Sequence, residues 1–473
     1  MPDGLFNIHP ALASEETPLR LLRPIMTTDW DRSSSYAARV KELVFCFQVQ
    51  LAQIFPVLNL SVPCGSLFPN LKSLSWRSSK SKSEAEFSYI RIFLTPTLSS
   101  ISFDCEASIV NCSLLSGLSQ ICPELKAVDV FINVEDEDDH GSLNATSHFL
   151  RSLWRVESVT VRFDSILAEA LKHLGKLPTL TCLHLETLHL ETLLKLCNPS
   201  SMPHPMFLCL RTLKLEWVEI ETITHFFKTT SQIPLNVLQL SFEDCYSAKD
   251  TETFYTALVT SCSHVSLTTL DLGISGGSWN LSASTFAIND NLLRILCRFP
   301  NIETLSIESP VAFDVCDGTL AEAARAWPRL GSLTLRVFDG QPNPSLPPRP
   351  TLAFLHSFAQ YCPRLHSLEI MLDATVLPIT HDTSQPPQGQ LAALRIGHSP
   401  ISRPSTVARF LSDLFPNLIT ITRPVYYGAT RAEKDIRDRQ WKKVEGLLPE
   451  FVAVREEERA RARALFPGAV SGN

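Results

Sequence analysis

Phe68-Pro69-Asn70-Leu71-Lys72-Ser73-Leu74 is the first copy of a short phrase that recurs along this chain of 473 residues. The last copy is Phe415-Pro416-Asn417-Leu418-Ile419-Thr420-Ile421. The phrase consists of a bulky or sulfur-containing residue, Pro, any residue, Leu or Ile, two spacers and another aliphatic residue. Its other copies begin at Cys122, Leu177, Phe299, Trp327 and Cys362.

Each half of the phrase favours a different local structure. Pro has no N–H to donate and disfavours helical backbone in the residue before it, so a helix ends at the first half. The second half alternates apolar and polar residues, as a short strand with one buried face does. The chain therefore predicts a row of repeated helix–strand units.

Seven further copies lack the Pro, and they fill the gaps between the copies that have it. The first aliphatic positions of all fourteen are Val40, Leu71, Leu98, Leu125, Val156, Leu180, Leu210, Leu235, Leu267, Ile302, Leu330, Leu365, Leu391 and Leu418. Their spacing runs from 24 residues (Val156 to Leu180) to 35 (Leu267 to Ile302), the long end of leucine-rich repeats. The predicted fold class is α/β, a ribonuclease-inhibitor-like horseshoe: a leucine-rich-repeat solenoid of about fourteen repeats, each with one strand and one helix.

The pattern divides the chain into an N-terminal cap (1–37), the solenoid (38–425) and a charged helical C-terminal cap (426–473). Solenoids need caps because the terminal repeats would otherwise expose an apolar face. The C-terminal segment offers Ile436, Trp441, Val444, Leu447 and Leu448 on one helical face, and we expect Pro449 to interrupt this helix. The position after the strand that carries Asn or Cys in many leucine-rich repeats holds Val218, Leu188, Glu243 and Pro310, so no side-chain ladder is expected there.

Composition narrows the functional classes. The net charge of −7 gives no basic footprint for nucleic acid. No apolar run is long enough to span a membrane, and the first fourteen residues lack the features of a secretory signal. Thirteen cysteines without a C-x-x-C pair predict neither a zinc site nor a disulfide scaffold. We therefore expect a cytoplasmic or nuclear protein with no cofactor.

Three stretches carry possible chemistry, and each has a more ordinary interpretation. Gly273-Ile274-Ser275-Gly276-Gly277 matches G-x-S-x-G, but no helix pattern follows Ser275 as a hydrolase requires. His184 and His189 are five residues apart, whereas a zinc-protease helix places its two His four apart. The run Glu135–Asp139 lacks the Gly and the final Glu of a calcium loop. The sequence predicts no catalytic and no metal-binding residue.

The repeats resemble those of the F-box leucine-rich-repeat proteins of mushroom-forming fungi. Leu22–Asp31 together with Tyr36–Leu43 is similar to the segment that opens their repeat region, and Trp441–Pro449 is similar to their closing helix. The resemblance implies a non-enzymatic substrate-recognition subunit of a ubiquitin ligase.

In that family an F-box precedes the repeats and binds a Skp-type adaptor. No F-box pattern lies upstream of Pro24, so adaptor binding is expected only if an F-box is present upstream. Two explanations remain open: the F-box has been lost from this chain, or the sequence is incomplete at its N-terminus. The alternative is a stand-alone leucine-rich-repeat scaffold without a ubiquitin-ligase link.

The predicted binding surface is the concave strand face, where outward residues alternate with buried ones. Small hydroxyl residues such as Ser73, Ser102 and Thr334 cover much of it, so it suits a protein or peptide better than a small ligand. The charged outward residues, predicted to bind the partner, are Arg77, Asp104, Arg162, His184, Glu186, Lys214, Glu216, Asp271, Glu308, Arg336, Glu369 and Arg395.

Overall fold

The structure of the chain is a computed structural model. It describes residues 21, 23–47, 54–62, 65–77, 87–133, 140–162, 166–196, 206–230, 232–243, 247–274, 288–309, 312–337, 348–378, 387–422 and 431–465. The chain divides into two compact units, Met1–Glu216 (unit 1) and Trp217–Asn473 (unit 2).

All fourteen predicted copies form parallel strands, which confirms the predicted fold, an α/β solenoid of leucine-rich repeats. Each strand begins two residues after the first aliphatic position of its copy. The strands of unit 1 are β1 (Glu42–Cys46), β2 (Ser73–Arg77), β3 (Ser100–Glu106), β4 (Ala127–Asn133), β5 (Ser158–Arg162), β6 (Cys182–Leu188) and β7 (Thr212–Val218), whose last two residues belong to unit 2. Those of unit 2 are β8 (Val237–Phe242), β9 (Thr269–Ile274), β11 (Thr304–Ser309), β13 (Ser332–Val337), β14 (Ser367–Ile370), β15 (Ala393–Arg395) and β16 (Thr420–Thr422).

Helices alternate with these strands. They are α1 (Asp29–Ala37), α2 (Phe55–Ser61), α3 (Ile109–Ile121), α4 (His140–Ser152), α5 (Ala168–Lys176), α6 (Leu190–Leu196), α7 (Ile220–Thr229), α8 (Ala248–Ser261), α9 (Asp290–Leu296), α10 (Asp317–Ala326), α11 (Leu355–Tyr361), α12 (Pro404–Leu414) and α13 (Arg431–Leu465). Two 3₁₀ helices (Tyr89–Phe93, Leu352–Phe354) and two short strands, β10 (Ile288–Asn289) and β12 (Phe313–Asp314), complete the elements. The helices α3, α5, α9, α10, α11 and α12 end within four residues of the predicted Pro stops.

The strand register brings the same aliphatic position of every repeat into line. In unit 1, Leu74 lies opposite Ile101, which lies opposite Val128, and this row continues through β5 and β6. In unit 2, the row runs from Leu238 to Ile421. All of these side chains are buried, so each repeat completes the core of its neighbour. Because side chains alternate with a period of two, a slip by one residue would bring every row to the wrong face.

A side-chain hydrogen bond joins successive repeats just before the strands. In the three copies that read Phe-Pro-Asn, the Asn amide donates to a backbone carbonyl of the preceding repeat. These bonds are Asn70 to Ala38 (3.0 Å), Asn301 to Val265 (2.8 Å) and Asn417 to Gly389 (2.7 Å). These Asn side chains therefore link repeats just before the strand. The sequence prediction that a side-chain ladder is absent applies to a different position, the one after the strand.

Two aspartates form a similar link at the other end of the repeat. Asp290 accepts the Cys316 N–H at 2.9 Å, and Asp317 accepts both the N–H and the hydroxyl of Thr351 at 2.7 and 2.6 Å. Burial alone raises the pKa of Asp290, but the hydrogen bonds from Cys316 and Thr319 outweigh burial, and the pKa lies below its usual value. The link from Asp290 to Cys316 is therefore intact at neutral pH and weakens only as the pH falls through the lowered pKa of Asp290.

The C-terminal helix α13 covers the last repeat. Trp441, Val444 and Leu448 are buried, and the Trp441 indole N–H donates to the Ser399 carbonyl at 2.9 Å. Glu445 accepts the N–H of Ile421, a residue of the last strand, at 3.3 Å. The helix thus buries apolar surface and satisfies a backbone group of an edge strand.

Two expectations about this helix were wrong. It continues through Pro449, because one proline removes a single backbone hydrogen bond and docked helices tolerate that loss. Ile436 is 52% exposed, since the contact with the last repeat begins further along the helix. The apolar stripe is therefore shorter than the sequence predicted.

We predict that Leu333→Ala lowers the free energy of unfolding by about 2–5 kcal/mol, because it opens a cavity in a packed row of fully buried side chains. Leu368→Ala, the next member of that row, should behave alike. Denaturant unfolding measures both. A loss below about 0.5 kcal/mol for either variant would contradict the register.

The C-terminal cap provides a second prediction. Trp441→Ala should cost about 3–5 kcal/mol and lower the midpoint of thermal unfolding, because it removes a buried ring from the end of the core. Ile436→Ala, in the same helix but exposed, is the matched control and should change stability by less than about 0.5 kcal/mol. Equal effects of the two changes would show that the helix does not dock as described.

Candidate functional site: the strand face

The outward residues of the parallel strands form the strand face, which each unit carries separately. Nearest the amino ends of the strands, the outward residue is small in most repeats, as at Ser100, Ser158, Ser332 and Ser367. The charged residues lie further along the strands, so the strand face has a flat amino half and a charged carboxyl edge. The alternation is the one the sequence predicts, since buried and outward residues alternate along β2, β3, β5 and β8.

In unit 1, Arg162 lies at the centre of a polar cluster. Its guanidinium donates to both carboxylate oxygens of Asp129 at 2.9 and 2.8 Å, and it lies 5.9 Å from the ring centroid of Phe131. The Ser102 hydroxyl donates to the same Asp129 carboxylate at 3.0 Å. Strands β3, β4 and β5 are thereby joined through their outward side chains.

A second pair of unit 1 joins His184 on β6 to Glu216 on β7. The His184 Nε2 lies 2.7 Å from a carboxylate oxygen of Glu216. The histidine side chain is 21% exposed and the glutamate 46%, so the acid is the more accessible partner. This contact joins strands β6 and β7 through their outward side chains.

In unit 2, Glu308 on β11 pairs with Arg336 on β13. The Arg336 Nε–H donates to the Glu308 carboxylate at 2.9 Å, and a terminal nitrogen of the same guanidinium also contacts it. The other carboxylate oxygen accepts the backbone N–H of Ile274 at 2.9 Å. The Glu308 side chain is only 11% exposed, whereas that of Arg336 is 42% exposed.

Glu369 on β14 pairs with Arg395 on β15 in the same way, at 3.3 Å. The Glu369 side chain is 9% exposed and the Arg395 side chain 51%. A small depression of about 10 Å³ lies beside this pair, and its lining includes Arg336, Met371 and Gly397. Gly397 has φ +52°, and a Cβ there would lie 3.0 Å from the Met371 side chain. Glycine therefore permits both the turn and the close approach.

The other predicted residues are also on the strand face, but the structure does not bring them into one cluster. Arg77 is exposed at the end of β2, and Asp104 and Glu186 are half-buried on β3 and β6. Lys214 on β7 and Asp271 on β9 are half-buried too, and no ion pair joins either to another described residue. The twelve residues are thus spread over ten strands.

Asp129 was missed as a site residue although it is outward by the same alternation. Its importance comes from the diagonal contact with Arg162, two residues beyond its direct neighbour Thr160 in the register. Alternation along one strand identifies outward positions but not which long side chains meet across strands.

The described residues give no support to the catalytic and metal alternatives. Ser275 and Glu135–Asp139 lie outside the described residues. Among the residues the structure describes, no three His, Cys, Asp or Glu side chains are placed to hold a metal ion. Burial raises the pKa of the Cys122 and Cys297 thiols to about 11 and that of Cys362 to about 12, so these thiols stay protonated at neutral pH. None of the helices in the described part of the chain is both long and apolar enough to cross a membrane.

No protein-family model matches the chain, and no curated protein matches it either. Solved structures with a similar course of the chain are leucine-rich-repeat proteins or complexes that contain them. The crystal structure of the Rad7 and Elc1 complex in yeast matches with a TM-score of 0.39 at 15% identity, covering 83% of this chain and 79% of that chain.

Two others are an internalin from Listeria monocytogenes and a plant receptor ectodomain. The internalin has a TM-score of 0.36 at 11% identity, with 84% of this chain and 89% of that chain covered. The ectodomain is that of the receptor kinase GASSHO1/SCHENGEN3 from Arabidopsis thaliana, in complex with CASPARIAN STRIP INTEGRITY FACTOR 2. It has a TM-score of 0.34 at 12% identity, covering 82% of this chain and 44% of that chain. Similarity at this level carries no conclusion about partners or activity.

The pair Glu369–Arg395 gives a testable prediction. Arg395→Ala leaves a buried carboxylate without its cation and should cost about 1–3 kcal/mol of stability. The double variant Glu369→Gln/Arg395→Ala should cost less than Arg395→Ala alone, because no buried charge is then left unpaired. A double-mutant cycle measured by chemical denaturation checks this, and strict additivity would rule out the pairing.

Proposed function

We propose that this protein is a non-enzymatic interaction module that binds a protein or peptide partner on its strand face. The observation that carries the proposal is the form of this face: small side chains over the amino half and charged side chains along the carboxyl edge. Flat sheet surfaces of this kind accept an extended or folded polypeptide, and charged edges provide orientation and selectivity.

The shape of the strand face also bears on the class of ligand. The depression beside Glu369 measures about 10 Å³, whereas sites for small molecules are concave and occupy roughly 300–1,000 Å³. A larger polar groove of about 460 Å³ lies on the helix side of unit 2, lined by residues that include Glu221, His225, Lys228 and Asp250. The volume of this groove falls within the small-molecule range, so the helix side is the surface to compare with the strand face in any binding test.

The finer proposal is that the chain recognises substrates for an F-box-type ubiquitin ligase. It depends on the similarity of the repeats and of the flanking segments Leu22–Asp31 and Trp441–Pro449 to fungal F-box proteins. A pulldown with a Skp-type adaptor tests it, using this chain and a version with further N-terminal sequence from the same locus. Binding by either form supports ligase membership; failure of both leaves the alternative, a stand-alone scaffold.

The cysteines indicate the compartment we propose, the cytoplasm or the nucleus. Ten described cysteines are free thiols, among them Cys105, Cys122, Cys262 and Cys362, which are buried. Reduced buried thiols are typical of proteins in a reducing compartment.

The binding surface can be tested with two matched sets of charge reversals. Arg77→Glu, Lys214→Glu and Asp271→Lys alter the strand face, and Lys172→Glu, Lys228→Glu and Glu221→Lys make the same charge changes on helices. None of these six residues belongs to an ion pair described above, so both triple variants should fold like the wild type.

We expect the strand-face set to reduce recovery of the proteins captured by the wild-type chain by at least about tenfold, about 1.4 kcal/mol, and the helix set to leave it within about twofold. Quantitative mass spectrometry of the captured proteins measures this. Equal loss from both sets, or loss from the helix set alone, would refute binding on the strand face.

A further inference from the structure

We propose that the carboxyl edge of the strand face in unit 2 binds an acidic peptide segment, with Arg336 and Arg395 contacting its carboxylates. This inference rests on the proposed function and gives the partner a chemical class. It starts from an asymmetry in the two ion pairs of this edge. In both pairs the acid is buried beneath the base.

The exposed fractions of the side chains are similar in the two ion pairs. The side chains of Glu308 and Glu369 are 11% and 9% exposed, whereas those of Arg336 and Arg395 are 42% and 51% exposed. Glu308 is further held by the N–H of Ile274 at 2.9 Å. A partner that approaches this edge therefore meets guanidinium groups first, while the carboxylates below fix their position.

The two arginines belong to one place on the surface. Both line the small depression at the carboxyl edge, together with Glu369, Met371 and Gly397. Arg336, Arg395 and Glu369 border this depression, and the Glu308 carboxylate that holds Arg336 brings the local charge to two bases and two acids. The two bases are thus the exposed members of a charge-balanced group, and a partner can reach them while the acids stay beneath. Arginine is suited to this role, since its planar guanidinium binds a carboxylate through two parallel hydrogen bonds.

The asymmetry is not a general property of the ion pairs on the strand face. In the His184–Glu216 pair of unit 1 the order is reversed, with the base 21% and the acid 46% exposed. In the Arg162–Asp129 pair the two side chains are equally exposed, at 33% and 32%. The exposed bases are therefore a feature of this edge in unit 2.

The neighbouring surface favours an extended peptide as the occupant. Beside the arginines, toward the amino ends of the same strands, the outward residues are Ser332, Ser367 and Ala393. Their short side chains let a peptide backbone lie close to the sheet while its acidic side chains reach the arginines. The depression itself is too small for a small-molecule ligand.

The test uses fluorescein-labelled hexaglutamate as the probe, with hexalysine and a single-stranded oligonucleotide as competing classes, and fluorescence anisotropy as the readout. We expect hexaglutamate to bind the wild-type chain at low salt and to be released as salt rises. Arg336→Gln/Arg395→Gln should weaken this binding by at least about tenfold. The control Arg329→Gln/Arg364→Gln removes two exposed arginines of the same unit that are not on the strand face, and it should bind within about twofold of the wild type.

Because the first variant leaves two buried carboxylates unpaired, a second variant guards against misfolding. The quadruple variant Glu308→Gln/Arg336→Gln/Glu369→Gln/Arg395→Gln leaves no buried charge unpaired. We expect this variant to have a wild-type circular dichroism spectrum and to lose hexaglutamate binding as well. Equal loss in the control variant, no binding of hexaglutamate to the wild type, or tighter binding of hexalysine or of the oligonucleotide would overturn the proposal. If the strand-face charge reversals still reduce the recovery of captured proteins, any of these results refutes only the acidic partner. If the strand-face charge reversals have no specific effect on that recovery, the proposed function is refuted.

Discussion

Each repeat of this protein depends on its neighbour to bury its aliphatic row. A strand with Leu, Ile or Val at every second position has one apolar face, and a single helix–strand unit cannot cover it. The parallel register solves this by placing equivalent residues, such as Leu305, Leu333 and Leu368, in one continuous buried row. The same dependence makes the last repeat a special case. Helix α13 supplies the missing neighbour through Trp441, Val444 and Leu448.

Hydrogen bonds between repeats lie on both sides of the strands and are built from different residues. Asn70, Asn301 and Asn417 link repeats before the strand, and Asp290 and Asp317 link them after it. Other described repeats use different residues for such links, as in the Thr97 hydroxyl that donates to Leu71 and the Thr179 hydroxyl that donates to Val156. The varied links accompany a repeat spacing of 24 to 35 residues. The strand face stays regular all the same, since the buried rows alone fix its register.

Most of the fold follows from the sequence because two strong local signals coincide. Pro stops such as Pro300 and Pro363 mark helix ends, and the aliphatic alternation marks the strands, so all fourteen strands begin where the phrase predicts. The course of α13 through Pro449 was not predictable in this way, because docking against the last repeat outweighs a local helix breaker. The site was predicted only in part. Alternation identifies outward positions, but the pairing of Asp129 with Arg162 and the burial of Glu308 and Glu369 depend on how side chains meet across strands.

Binding on the strand face would place a partner close to the carboxyl ends of the strands. Hydrogen–deuterium exchange of the chain with and without a captured partner tests it most directly, because exchange reports backbone protection segment by segment. We expect the partner to slow exchange in segments 306–309, 334–337 and 369–372, and to leave exchange in helices such as Ile220–Thr229 unchanged. Protection confined to the helices would contradict it.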